Sequence, residues 1–174
     1  MTDAFTRLEG IARRPMVEAR LHQLIVGHDA KRACGERLTP AETLELGLAI
    51  YDAGRVSADE ALCYMRVMLS HEAAERNQAV YNEFADRFQA LCAKHGLGPD
   101  DDWAPGEGPE EYEALRREFD AACDQVECEV LREHADRTGH PLVQEAADLF
   151  ASDRTEFERR FEVGRQSLFG PIKG

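Results

Sequence analysis

The stretch SADEALCYMRVMLSHEAAERNQAVYNEFADRFQALCAKH, residues 57–95, decides the fold. It opens on Ser57-Ala-Asp-Glu60, a capping box: the serine hydroxyl accepts from the backbone N–H three residues on, and the glutamate reaches back to the serine N–H. No Gly or Pro follows until Gly96. The stretch therefore predicts one helix over about 58–95, about 38 residues and roughly 57 Å at 1.5 Å per residue. Along it Leu62, Met65, Leu69, Ala73, Val80, Phe84, Phe88 and Leu91 step by three, four or seven residues. That spacing makes a narrow apolar seam suited to a partner helix.

The partner is the next segment. GLGPDDDWAPGEG (96–108) is rich in Gly, Pro and Asp and reads as the one long loop. A second long helix is predicted over about 109–137, ending before Gly139, with Glu110, Glu111 and Glu113 at the positive end of its dipole. Its seam is Tyr112, Leu115, Phe119, Ala122, Val126 and Val130. Closing the two helices as an antiparallel hairpin places residues whose numbers sum to about 205 at one level, Phe84 beside Ala122 and Val80 beside Val126.

Working outward, Thr39-Pro-Ala-Glu42 is another capping box with proline at the first helical position, and its helix runs to Gly54. Upstream, Asp3 to about Arg13 and Pro15 to about Cys34 read as helices divided or kinked at Pro15. Downstream, Pro141 to Ala151 and a segment from Asp153, capped by Asp-x-x-Glu156, read as short helices, and the tail SLFGPIKG as irregular. No strand alternation or internal repeat is visible. The predicted fold is all-α, a single helical bundle domain over 1–174 built on the long hairpin. The expected core is Leu21, Leu24, Ile25, Leu44, Leu48, Ile50, Leu62, Met65, Leu69, Phe84, Phe88, Leu115, Phe119 and Val126.

Composition bounds the function. The chain has 174 residues, 43% hydrophobic and 32% charged, with 34 acidic side chains against 21 Lys and Arg, a formal net charge of −13. Such a charge repels free polyanions, so direct nucleic-acid binding is not expected. No run approaches the roughly 18 apolar residues of a membrane span, and no apolar h-region follows the basic residues of the N-terminus, so a cytoplasmic location is expected. Five cysteines (Cys34, Cys63, Cys92, Cys123, Cys128) include no CxxC pair, so reduced thiols, most of them packed as small hydrophobes, are expected. No Gly-rich phosphate loop, nucleophilic triad or cofactor motif is present. The acidity is concentrated: residues 97–136 hold fourteen acidic and three basic side chains.

Two constellations carry possible chemistry. The middle of the first long helix, Ser70-His-Glu-Ala-Ala-Glu-Arg-Asn-Gln78, is polar where its seam calls for apolar residues. In the 205 register Arg76 falls level with Glu129, and His71 with His134. Since His71 and Glu75 are one turn apart, as are Glu129 and Glu133, a divalent metal held by His71, Glu75, Glu129 and His134 is a candidate. The bland alternative is a solvated face with an Arg76–Glu129 pair. The second constellation is Arg66-Val-Met-Leu-Ser-His71, an Arg-x4-His on a helix. It resembles the motif of the HEPN superfamily of helical ribonucleases, which implies phosphate stabilisation by Arg66 and proton transfer by His71. Val67 departs from that family's preference for a polar residue, and five positions along a helix set the two side chains well apart around the axis.

The acidic loop carries a third kind of signal. Asp100, Asp101 and Asp102 precede Trp103, the chain's sole tryptophan. A lone aromatic beside an acidic run serves either as an anchor for a protein partner or as a plug that pins the loop to the bundle. Taken together, the residues favour a non-catalytic helical interaction protein, an accessory or regulatory subunit that binds a basic protein partner, or a second copy, through an acidic surface. The alternatives are a metal-dependent or HEPN-like ribonuclease, and an acidic mimic of nucleic acid.

Overall fold

A computed structural model describes residues 2–98, 103–104 and 106–170, with side chains from Arg13 onward. The described residues form six helices and no strand: α1 (Thr2–Ala33), α2 (Pro40–Asp52), α3 (Ala58–Lys94), α4 (Glu110–Thr138), α5 (Pro141–Ser152) and α6 (Arg154–Phe169). The all-α hairpin fold expected from the sequence is what forms. Both capping boxes close: Thr39 Oγ1 accepts from Glu42 N–H at 3.2 Å and Ser57 Oγ from Glu60 N–H at 3.2 Å, with each glutamate accepting in return. Gly54 (φ +67°) and Gly96 (φ +79°) take the left-handed conformation that ends α2 and α3. Asp153 caps α6 through Glu156 N–H at 3.0 Å.

One boundary differs. α1 runs through Pro15 without a break. Proline removes a single intrahelical donor, and a helix of this length absorbs that loss.

The helices sort around α3, which packs against α2, α4, α5 and α6, while α1 packs on the outside of α2. The main hydrophobic cluster takes α3 only as far as Ala73 and α4 only from Cys128 onward, and it includes Leu44, Leu48, Leu142, Val143, Phe150 and Phe157. The molecule thus divides into a head, where α2, α5 and α6 surround the first half of α3, and an arm, the far halves of α3 and α4. The arm has its own thin core. Rings of Tyr81, Phe84 and Phe88 meet Phe119 at 6.5, 5.7 and 6.0 Å, Phe88 meets Tyr112 at 5.6 Å, and Tyr112 meets Trp103 at 4.8 Å. Between the two cores, the Asn77 side-chain oxygen is buried without a hydrogen-bond partner.

This division corrects the expected core. Ile25 is exposed, because α1 gives only one face to α2, and Leu24 is half-buried for the same reason. Ile50, Phe88, Phe119 and Val126 are also half-buried, the two phenylalanines because a two-helix arm cannot enclose a ring on every side. Three of the five thiols, Cys63, Cys92 and Cys128, are buried and not disulfide-bonded, and burial pushes the Cys63 thiol above its ordinary value. No described helix is long and apolar enough to cross a membrane.

Glu42 joins α1 to α2. Its carboxylate accepts from Lys31 Nζ at 2.5 Å and from the Thr39 N–H at 2.9 Å. The Lys31 bond first, then the cap, hold its pKa down from the ordinary 4.5 to about 2. A depressed carboxylate contributes stability that is full above its unfolded pKa and is lost as pH falls through the folded one. Glu42→Gln should therefore destabilise the protein at pH 6, and the gap to wild type should narrow as pH falls from about 4.5 toward 2. Urea unfolding of both forms at several pH values checks it.

Candidate functional site

The hairpin register is the one predicted. Arg87 pairs with Glu118 and Lys94 with Glu111, each at 2.6 Å, and both pairs of numbers sum to 205. Within that register the polar middle resolves differently from the metal reading. His134 is 4% exposed, its Nε2 bonded to Glu72 and its Nδ1 to the Arg137 guanidinium. Arginine only donates, so Nδ1 accepts and Nε2 carries the proton that Glu72 receives. His71 stands on another flank, exposed, with Nδ1 bonded to the Val67 carbonyl at 2.9 Å. One position along a helix is about 100° of rotation, which is why Glu72 and not His71 meets His134.

Arg76 does not take Glu129. It makes a double bond-pair with Glu133, at 2.8 and 2.6 Å, one turn farther along α4. Helical side chains lean toward their own N-terminus, so in an antiparallel pair Arg76 leans toward higher-numbered residues of α4. Glu129 instead accepts from Gln125 at 2.8 Å, and Glu75 is exposed. The four candidate ligands His71, Glu75, Glu129 and His134 are not brought together, and among the described residues no three His, Cys, Asp or Glu side chains are grouped to hold a metal ion.

The Arg-x4-His pair is also divided. Arg66 is half-buried against α4 and α6, with Glu127 at 3.1 Å and Glu158 at 3.5 Å. Glu127 and Glu158 are in turn held by Arg154 at 3.1 and 3.3 Å, which makes Arg66 a member of an interhelical ion network. His71 lines a cleft on the opposite flank together with residues of α1 and the α1–α2 loop. Five positions amount to about 140° of rotation, and the two side chains serve different surfaces.

Asp100, Asp101 and Asp102 lie outside the described residues. Trp103 is half-buried, its ring 4.8 Å from Tyr112 and 5.6 Å from His95, so it seals the end of the arm where the two helices meet the loop. Trp103→Ala should lower the melting temperature, by several degrees, as loss of an aromatic contact partner does. A calorimetric scan checks it.

Around the arm, α3 and α4 contribute charge unequally. The α3 bases Arg76, Arg87 and Lys94 are all consumed by α4 carboxylates across the seam. Arg76 and Lys94 hold Glu133 and Glu111 below the ordinary carboxylate range. On the outward side, Glu110, Glu113, Arg117, Asp120 and Asp124 recur at three- and four-residue steps. At 100° per residue they occupy an arc of about 80° opposite the seam. Among the described residues Glu110, Arg117 and Asp120 have no ion-pair partner, and all three are exposed; Glu113 accepts from the Gly106 N–H at 3.1 Å, and Asp124 meets Arg154. The acidity of this helix is plain in the sequence, and the three- and four-residue steps from Glu110 are the signal that separates outward carboxylates from those spent on the seam.

Comparison with known proteins returns no match: no family model, no curated protein and no solved structure is significantly similar to this chain.

Proposed function

We propose that this chain is a non-catalytic interaction protein, an accessory or regulatory subunit whose arm docks a basic protein partner along the outward acidic face of α4. The observation that carries this reading is the unequal use of charge on the arm. Seam carboxylates are neutralised by α3, while Glu110 and Asp120 face outward, exposed, on a two-helix projection over which no other described helix lies. An acidic row on a projecting element steers a basic partner and fixes its register. Trp103, at the arm's end, then supports the arm's shape as well as standing beside the acidic loop.

Affinity purification from the native host tests it, with wild type beside a Glu110→Gln, Asp120→Lys double variant. Both positions are exposed and unpaired, so the variant keeps the fold. The expected result is a stoichiometric basic protein that is retained by wild type at physiological salt, lost at higher salt, and lost from the variant. A partner held equally by both forms at all salt concentrations overturns the reading.

A further inference from the structure

Away from the acidic arm, the C-terminal end of α1 and the turn after it meet the middle of α3 in a cleft of about 350 Å³. Its polar lining is mostly basic: His28 and Arg32 from α1, Arg37 from the turn, and His71 from α3, with Glu36 as the one carboxylate. Nearby cations are answered, Arg20 and Lys31 of α1 by Glu45 and Glu42, and Arg55 of the turn after α2 by Glu18. Among the described residues Arg32 and Arg37 have no ion-pair partner, Glu36 included. In a chain of net charge −13, two guanidiniums without an ion pair and two imidazoles line this one cleft.

The chemistry of the four side chains selects the ligand. A carbonyl only accepts, so His71 Nδ1 carries the proton given to Val67 and Nε2 is left as the unbonded ring nitrogen. Arginine forks match oxyanions bidentately. Two guanidiniums supply more N–H donors than the roughly four lone-pair sites of a carboxylate take up and match the three terminal oxygens of a phosphoryl group, while His71 Nε2, without a proton in this tautomer, accepts from a phosphoryl O–H. Beside them the wall is apolar, with Leu38 half-buried and Val67 47% exposed. We propose that this cleft binds a phosphate monoester, the phosphoryl group held by Arg32 and Arg37 with His28 and His71, and the organic part lying on Val67 and Leu38.

The test is a titration of the full chain, followed through the histidine ring resonances, with phenyl phosphate, inorganic phosphate and benzoate at matched ionic strength. Phenyl phosphate is expected to shift His28 and His71 saturably, inorganic phosphate to do so more weakly, and benzoate not to saturate. An Arg32→Ala, Arg37→Ala variant should bind phenyl phosphate at least tenfold more weakly, while Arg132→Ala, at an exposed arginine of α4 away from the cleft, should bind as wild type does. Shifts that never saturate, an equal response to benzoate, inorganic phosphate binding as tightly as the ester, or binding retained by the double variant would overturn the assignment.

Discussion

Gly164→Ala is expected to prise α6 from the head. A Cβ at this position would lie 2.0 Å from the Asp59 carbonyl oxygen, 2.3 Å from its carbon and 2.7 Å from the Glu60 nitrogen. These are backbone atoms in the first turn of α3, fixed by the Ser57 capping box, so they cannot yield as a flexible side chain would. Relief requires α6 to lift, and the contacts on either side go with it: Arg160 Nε to Asp59 at 2.7 Å, Ser167 Oγ to Glu60 at 2.6 Å, and the Cys63 thiol to the Phe161 carbonyl. Overpacking by one methyl in an adaptable core costs about 1–3 kcal/mol; against rigid backbone the cost should be about 3 kcal/mol or more. For a chain of this size that lowers the melting temperature by about 6–12 °C, read by calorimetry. An unchanged melt would mean that the close approach of α6 and α3 is not as described.

Phe157→Ala should be as damaging, for the opposite reason. Phe157 is 0% exposed, set edge-on to Phe150 at 5.1 Å, in the centre of the head. Emptying such a site costs about 3–5 kcal/mol. Phe119→Ala removes the same side chain from the arm, where the ring is half-buried, and should cost about half as much, since less area returns to water. Urea unfolding of the two variants tests the division into head and arm directly. Equal losses would contradict it.

The hairpin was legible because each of its signals is local. Capping boxes, the absence of Gly and Pro from 58 to 95, and two seams with matching steps fix two helices and their register without knowledge of anything else. The second half of the head was not legible. In RTEFERRFEVGRQSLF the phenylalanines Phe157 and Phe161 are flanked by Arg and Glu, which reads as a solvated helix. Those charges are spent in fact on neighbouring helices, Arg160 on Asp59 and Glu145 and Arg154 on Asp124 and Glu127, leaving Phe157 and Gly164 to face inward.

At the candidate sites the same limit acts on a finer scale. Register arithmetic brought His134 to the correct level of α3 and missed its partner by one residue. Rotation about the helix axis, which numbers alone do not carry, gives His134 to Glu72 and sends His71 to the opposite flank. The cleft around His71 draws on α1, a turn and α3, segments far apart in the chain, so no spacing could announce it.

Hydrogen–deuterium exchange of the chain alone and in complex with its captured partner tests the central claim, that the outward face of α4 is where a partner docks. New protection should fall within residues 107–124, on the arm, and should fade as salt screens the acidic row. Protection confined to α1 or to α5 and α6, with the arm exchanging as it does in the free protein, would contradict it.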